Sequence, residues 1–310
     1  MKIIKTFFAI TIVLTISLTA LYLFMDREAL TLNEQTRASL PGEFIELDKG
    51  VVHYEIKGEN RKPNVILVHG FSASSFVWEP TFGALADSGF SVLRFDLYGR
   101  GLSDRPDSDY AMTLYVEQLK ALMDGLDVDE PVNIVGLAMG GAVVTHFTNR
   151  YPELVNKLIL IDPLVVAPNK PEAEPLKKPL LGEYLSKVVL VTKLRKGLEG
   201  LVYDANLYPE WDAKFDEQTH YEGYAKAMLA SVRYLMGKDF TAEYRKLGEL
   251  GKPVQLFWGK NDKMIPIEDS KLITDVVPDV EFHAIEKAGH VPNYEQPQEV
   301  NQKMIQFLKG

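Results

Sequence analysis

Val132-Asn133-Ile134-Val135-Gly136-Leu137-Ala138-Met139-Gly140-Gly141 joins an apolar run to a segment of helical pattern, and its reading decides the fold. Val132–Leu137 is short and apolar at nearly every position, the form of a strand buried on both faces. Met139–Arg150 follows at once with helical character, so strand must give way to helix almost without a loop. Glycines at 136, 140 and 141 suit a turn so tight that side chains there would collide with neighbouring backbone.

Strand and helix signals alternate outward from this turn. Upstream, Phe44–Leu47 and Val51–Ile56 flank Asp48-Lys49-Gly50, a predicted hairpin. Val65–Val68 and Val92–Phe95 read as buried strands ending in His69-Gly70 and in Asp96, and Thr113–Leu126 as a helix with Thr113 at its N-cap. Downstream, Leu158–Ile161 ends in Asp162-Pro163, Val254–Trp258 and Val280–Ile285 complete the strands, and Gln298–Leu308 is a closing amphipathic helix. Such alternation predicts an α/β fold with a mostly parallel eight-stranded sheet and helices on both faces. The rhythm breaks over 163–250, which is Pro-rich at first (Pro163, Pro168, Pro171, Pro175, Pro179) and then helical and rich in tyrosine. Too long for a loop, it is expected to be a helical cap inserted into a core of 43–162 and 251–310.

With those elements in place, Gly136-Leu137-Ala138-Met139-Gly140 is the nucleophile elbow G-x-S-x-G with alanine where the serine belongs. Val68-His69-Gly70-Phe71, Asp96-Leu97-Tyr98-Gly99-Arg100-Gly101-Leu102-Ser103, Gly259-Lys260-Asn261-Asp262 and Gly289-His290 occur around it in a fitting order. From about Phe44 to its C-terminus the chain resembles α/β-hydrolase-fold proteins, in particular the esterase, monoacylglycerol-lipase and carbon–carbon hydrolase branch. The resemblance implies Asp262 as the acid and His290 as the general base of a catalytic triad whose nucleophile position is Ala138. It also implies the main-chain N–H groups of Phe71 and Met139 as the oxyanion hole, a small-molecule ester or lipid as substrate, and no metal or cofactor. A hydroxyl attacks an ester only when an oriented imidazole takes its proton, so Ala138 is expected to leave the chain inactive or strongly impaired. Three readings stay open: a hydrolase whose serine has been exchanged, a ligand-binding protein on a hydrolase scaffold, and a His–Asp general-base catalyst needing no serine.

Several polar residues near these motifs have plainer roles. Asp162 ends a strand, as a triad acid does, but is expected to anchor the start of the cap. Asp96 and Arg100 are expected to pin the loop beyond their strand, and His69 to support the oxyanion loop. His53, His146, His220 and His283 share no metal-ligand spacing.

Composition narrows partners and compartment. Across 310 residues the formal charge is −9, which argues against a nucleic-acid partner. With no cysteine, the sequence has no disulfide, thiolate metal site or cysteine nucleophile. Lys2 and Lys5 precede an uncharged run from Thr6 to Met25, closed by Asp26, Arg27 and Glu28. About 20 residues at 1.5 Å rise match the ~30 Å hydrocarbon core of a bilayer. Residues 1–28 are therefore expected to be a membrane anchor or signal segment, with 29–42 as a linker. Basic residues before the run place the catalytic domain on the extracytoplasmic side, secreted if the segment is cleaved.

Overall fold

The computed structural model describes residues 2–167, 171–235 and 237–310. Residues 168–170 and 236, within the stretch expected as the cap, lie outside the described residues. Eight strands form one sheet: β1 (Glu43–Leu47), β2 (Gly50–Lys57), β3 (Val65–Val68), β4 (Val92–Phe95), β5 (Val132–Leu137), β6 (Val155–Ile161), β7 (Val254–Gly259) and β8 (Glu281–Ile285). Their order is β1-β2-β4-β3-β5-β6-β7-β8. The hairpin β1–β2 is antiparallel and joins β4 antiparallel, while the six strands from β4 to β8 across the sheet run parallel. This is the α/β-hydrolase architecture.

Alternation along the strands supplies two cores. Ile66, Val68, Ile134, Leu158, Leu160, Leu256 and Trp258 point to one face, where the helices Met112–Gly125 and Met139–Arg150 cover them. Val65, Leu67, Val135, Leu137, Ile159, Ile161 and Phe257 point to the other, beneath Glu79–Asp87 and Pro297–Lys309. Glu79–Asp87 was not anticipated in the sequence, although Phe82 and Leu85 give it a buried face after Trp78. The helix expected from Thr113 begins one residue earlier, and its N-cap is Ala111, without a side-chain hydrogen bond. Thr113 lies inside the first turn instead.

Between β6 and β7 the chain forms a succession of short helices, with Tyr224–Leu235 the longest of them. The last, Thr241–Glu249, packs on Met139–Arg150 and so sits against the sheet's helical layer.

The N-terminal helix Lys2–Met25 buries none of its residues and is apolar enough to cross a membrane. The stretch after it is no free tether, contrary to the expectation for 29–42. Leu30 bridges to Tyr221, Asn33 caps the short helix Glu34–Arg37 by accepting the Thr36 N–H, and Arg37 pairs with Asp104. Leu30 and Arg37 thus tie the stretch to residues far along the chain, while Asn33 and Ser39 bond within it.

Candidate active site

The turn after β5 places Ala138 at φ 52°, ψ −117°, a conformation that costs an L-residue of order 1–3 kcal/mol and needs outside support. Three hydrogen bonds supply it. Ala138 donates to Ile161 O at 2.9 Å, and its own carbonyl accepts from Gly141 N at 3.0 Å and Leu164 N at 2.9 Å. The glycines on either side are sterically required. A Cβ on Gly136 would stand 2.5 Å from Gly140 O, and one on Gly140 would stand 2.5 Å from His69 O and nearer still to Val68 O. Ala138 is buried, and its Cβ comes within 3.2 Å of where a Cβ on Gly70 would be. The elbow and the loop after β3 are therefore in close contact.

That loop carries Phe71, and its peptide planes are held from both sides. His69 Nε2 accepts the Leu97 N–H at 2.9 Å, which leaves the ring proton on Nδ1, 2.9 Å from Gly70 O. Because a peptide is planar and trans, fixing the Gly70 carbonyl also fixes the Phe71 N–H, which points the opposite way. Burial pushes His69 down to about 4, so the imidazole is neutral and keeps this tautomer at ordinary pH. Arg100 donates from Nε to Phe71 O at 2.8 Å, and its other nitrogens reach Tyr115 and Ser231. Met139 is the first residue of its helix, where an N–H has no carbonyl one turn back to receive it.

Asp96 anchors the neighbouring loop through His53 Nδ1 at 2.8 Å, Ser75 N at 2.8 Å and Leu102 N at 2.9 Å. Burial alone would raise its carboxyl, but the His53 and His69 rings and the Leu102 N–H hold it well below the usual range.

Asp262 and His290 leave the C-terminal ends of β7 and β8, the edge from which Ala138 leaves β5. His290 Nδ1 lies 2.7 Å from Asp262 Oδ2, and Asp262 Oδ1 accepts from Met264 N at 2.7 Å and Ile265 N at 3.0 Å. Burial works against ionisation of Asp262, yet His290 and those N–H groups outweigh it and lower the carboxyl. Nε2 is thus the imidazole nitrogen left for another group. Ala138 shares an apolar cluster with Ala288 and Val291, which lie on either side of His290 in the chain.

Two carboxyl groups complete this half of the site. Asp162, fully buried, accepts the Gly259 N–H at 2.9 Å and faces Asp262. Burial first and the Asp262 charge second raise it well above the ordinary range, so two adjacent carboxyls share one charge. Asp162 therefore does more than begin the cap. Glu295 escaped the sequence reading altogether. It accepts from Gly289 N at 2.7 Å, Tyr203 N at 2.6 Å and Val291 N at 3.4 Å, and so fixes the backbone on both sides of His290. Its only sequence signal is a glutamate five residues beyond a Gly-His pair. From the short helices between β6 and β7, Leu201 O receives the His290 N–H at 2.6 Å.

Comparison with known proteins agrees with this architecture. A 2-hydroxy-6-oxononadienedioate/2-hydroxy-6-oxononatrienedioate hydrolase of Paraburkholderia phymatum is 28% identical over 267 residues, covering 83% of this chain and 90% of that protein. An enol-lactonase from Burkholderia xenovorans superposes with a TM-score of 0.75 at 18% identity, over 86% of this chain and 100% of its own. A thermophilic esterase from Thermogutta terrifontis gives 0.74 at 24% identity, over 86% and 98%. Residues 63–297, from just before β3 to the first residue of the helix Pro297–Lys309, match the family described as alpha/beta hydrolase fold. The elbow at Ala138 and the His290–Asp262 pair are thus set in the sheet of a chain that belongs to the α/β-hydrolase family.

Proposed function

We propose that the site is that of a carboxylic-ester hydrolase of the serine type, with the nucleophilic hydroxyl missing at Ala138. The observation that carries this reading is the strained turn at Ala138, kept together with a hydrogen-bonded His290–Asp262 pair. With serine at 138, its proton would pass to His290 Nε2 as the oxygen attacks the ester carbonyl. Asp262 would orient and stabilise the imidazolium, and His290 would then hand the proton to the departing alcohol. The negative charge on the carbonyl oxygen would fall to the N–H groups of Phe71 and Met139, worth about 3 kcal/mol each. Met139 also opens a 12-residue helix, whose positive end favours the same charge. As the chain stands, a methyl group cannot attack, so no acyl-enzyme forms at 138 and ligand binding remains.

The test is Ala138→Ser, assayed on short and medium p-nitrophenyl esters and with a fluorophosphonate label. We expect labelling only in the serine form, lost again on adding His290→Ala. A serine form that neither labels nor shows an acylation burst would refute the reading. A second reading rests on the ionised Asp262 behind His290: the pair activates water or substrate directly. It requires activity in the unaltered chain that His290→Ala removes.

In the same proposal, Lys2–Met25 tethers the domain to a membrane, with Lys2 and Lys5 on the cytoplasmic side and the hydrolase domain outside. Support comes from the helix's length, its lack of charge after Lys5 and the absence of any buried residue in it. The division into a core and a helical cap over 163–250 belongs to the same reading, with the cap enclosing the acyl portion of the ligand.

A further inference from the structure

We infer that the cap tip Pro179-Leu180-Leu181 is seated in the outer leaflet of the phospholipid bilayer that carries the N-terminal helix, an inference that rests on the anchoring proposed above. The chain from Leu181 to Arg195 is helical throughout and runs beside the end of the N-terminal helix. Contacts in matching order set its direction. Tyr184 donates its hydroxyl to Leu18 O at 3.2 Å and stacks on Tyr22, with ring centroids 5.9 Å apart. One turn further on, Lys187 lies 5.3 Å above the Tyr22 ring and binds Asp26 at 2.5 Å and Glu28 at 3.4 Å. Further still, Arg195 and Arg27 share Asp216. The two helices therefore run the same way, and Leu180 and Leu181 lie toward the membrane from Tyr184.

Helix length then decides where the bilayer surface falls. If the span is Thr6–Met25, Leu18 lies seven residues, or about 10 Å, inside its outer end. Setting the surface as far in as Leu18 leaves only the stretch from Lys2, about 25 Å, against a ~30 Å hydrocarbon core. On either setting Tyr184 reaches the boundary and the leucine pair lies at it or beyond it. Tyr22 and Tyr184 then occupy the depth where amphipathic rings concentrate.

The tip is built for exposure. Leu180 is 85% exposed at φ 64°, ψ −46°, and Leu181 donates to Pro179 O at 2.8 Å, closing a γ-turn of the strained kind. Arg233 braces it by donating to Leu176 O at 3.0 Å and Lys178 O at 3.3 Å while pairing with Glu183 at 2.6 Å. The braced turn thus holds two adjacent leucines outward, an apolar surface that the acyl region of a bilayer would cover. Lys178 beside it is exposed and suits a phosphate headgroup, with its stem lying along the apolar layer. After a break at Lys196–Gly197 the chain forms the short helix Leu198–Leu201, whose last carbonyl holds the His290 N–H.

Because the chain has no cysteine, single-site labelling is clean. The full chain, as Leu180→Cys, Leu181→Cys or the reference Asp129→Cys, is labelled with an environment-sensitive fluorophore and reconstituted into phosphatidylcholine–phosphatidylglycerol vesicles containing a lipid with a nitroxide near its glycerol. Asp129 is exposed in the turn that enters β5, at the sheet edge opposite the cap. We expect blue-shifted emission and at least about twofold stronger lipid quenching at 180 and 181 than at 129. Chain retained through an alkaline wash but unquenched at both leucines overturns the docking and leaves the anchor. Chain released by the wash overturns the anchor and the docking with it. Shielding that no lipid quencher reaches, and that grows with the protein-to-lipid ratio, means a second copy covers the tip and also overturns the docking.

Discussion

His69 donates its Nδ1 proton to the carbonyl of Gly70 at 2.9 Å, and because the peptide is planar and trans this bond also fixes the direction of the next N–H, that of Phe71. A buried neutral imidazole thus orients a backbone donor. Its titration gives the first prediction. His69 is held at about 4 in the fold, against an ordinary value near 6.5 when unfolded. Between these values the unfolded chain takes up a proton that the folded chain refuses. The contribution is therefore complete above pH 6.5 and is lost as pH falls toward 4. Urea unfolding of the chain and of His69→Gln should show their stability gap narrowing by about 2 kcal/mol between pH 7 and pH 5. A gap independent of pH would mean that His69 titrates normally.

Gly140 packs where no side chain fits, so Gly140→Ala should cost about 3 kcal/mol or more, because Val68 O and His69 O cannot both retreat. Gly200→Ala is the matched reference: nothing lies within 4 Å of its Cβ position, and its change should stay below about 1 kcal/mol. Denaturant midpoints of the two variants make the comparison. Equal midpoints would show that the elbow can relax around a methyl group.

These two sites mark the limits of what the sequence revealed. Val65–Val68, Val92–Phe95 and Val132–Leu137 were legible because strands buried on both faces must be apolar at almost every position. The pairing of Asp262 with His290 was legible because each follows a strand in a glycine-marked turn, and the structure joins them at 2.7 Å. The helix Glu79–Asp87 was not, since its buried residues Thr81, Phe82 and Leu85 are too few and too mixed to give a clear period. Nor was the binding of the stretch after the N-terminal helix. Arg27 meets Asp216, and Glu28 accepts the Ala225 N–H, across separations at which no local pattern operates. Asp162 was weighed as a rival of Asp262, whereas in the fold the two carboxyls face each other.

That pairing makes a prediction of opposite sign to the one for His69. Asp162 keeps its proton in the fold to well above the pH at which the unfolded chain releases it, near 4. Its contribution is complete below that pH and is lost as pH rises toward the folded value. Asp162→Asn keeps an acceptor for the Gly259 N–H and a donor for Asp262, and it has no proton to lose. The variant should gain on the unaltered chain as pH rises from 5, by up to about 1.4 kcal/mol per pH unit. Thermal or urea unfolding at pH 5 and pH 8 reads the difference. A constant difference would show that Asp162 is ionised throughout.

Glu295 tests whether the backbone around His290 needs its carboxylate. Three N–H groups, from Gly289, Val291 and Tyr203, converge on it, two of them from the turn that carries the imidazole. Glutamine offers one carbonyl oxygen in place of two and sets an amide donor against the remaining N–H groups. Each buried donor left unpaired costs about 1–3 kcal/mol. Glu295→Gln should therefore lose stability in that range. Combined with Ala138→Ser, it should lower kcat for ester hydrolysis more than it raises KM, because the imidazole loses its alignment. Glu295→Asp, which keeps both oxygens but shortens the reach, should recover part of kcat. If Glu295→Gln changes stability alone and leaves kcat of the serine form intact, Glu295 supports the fold without positioning His290.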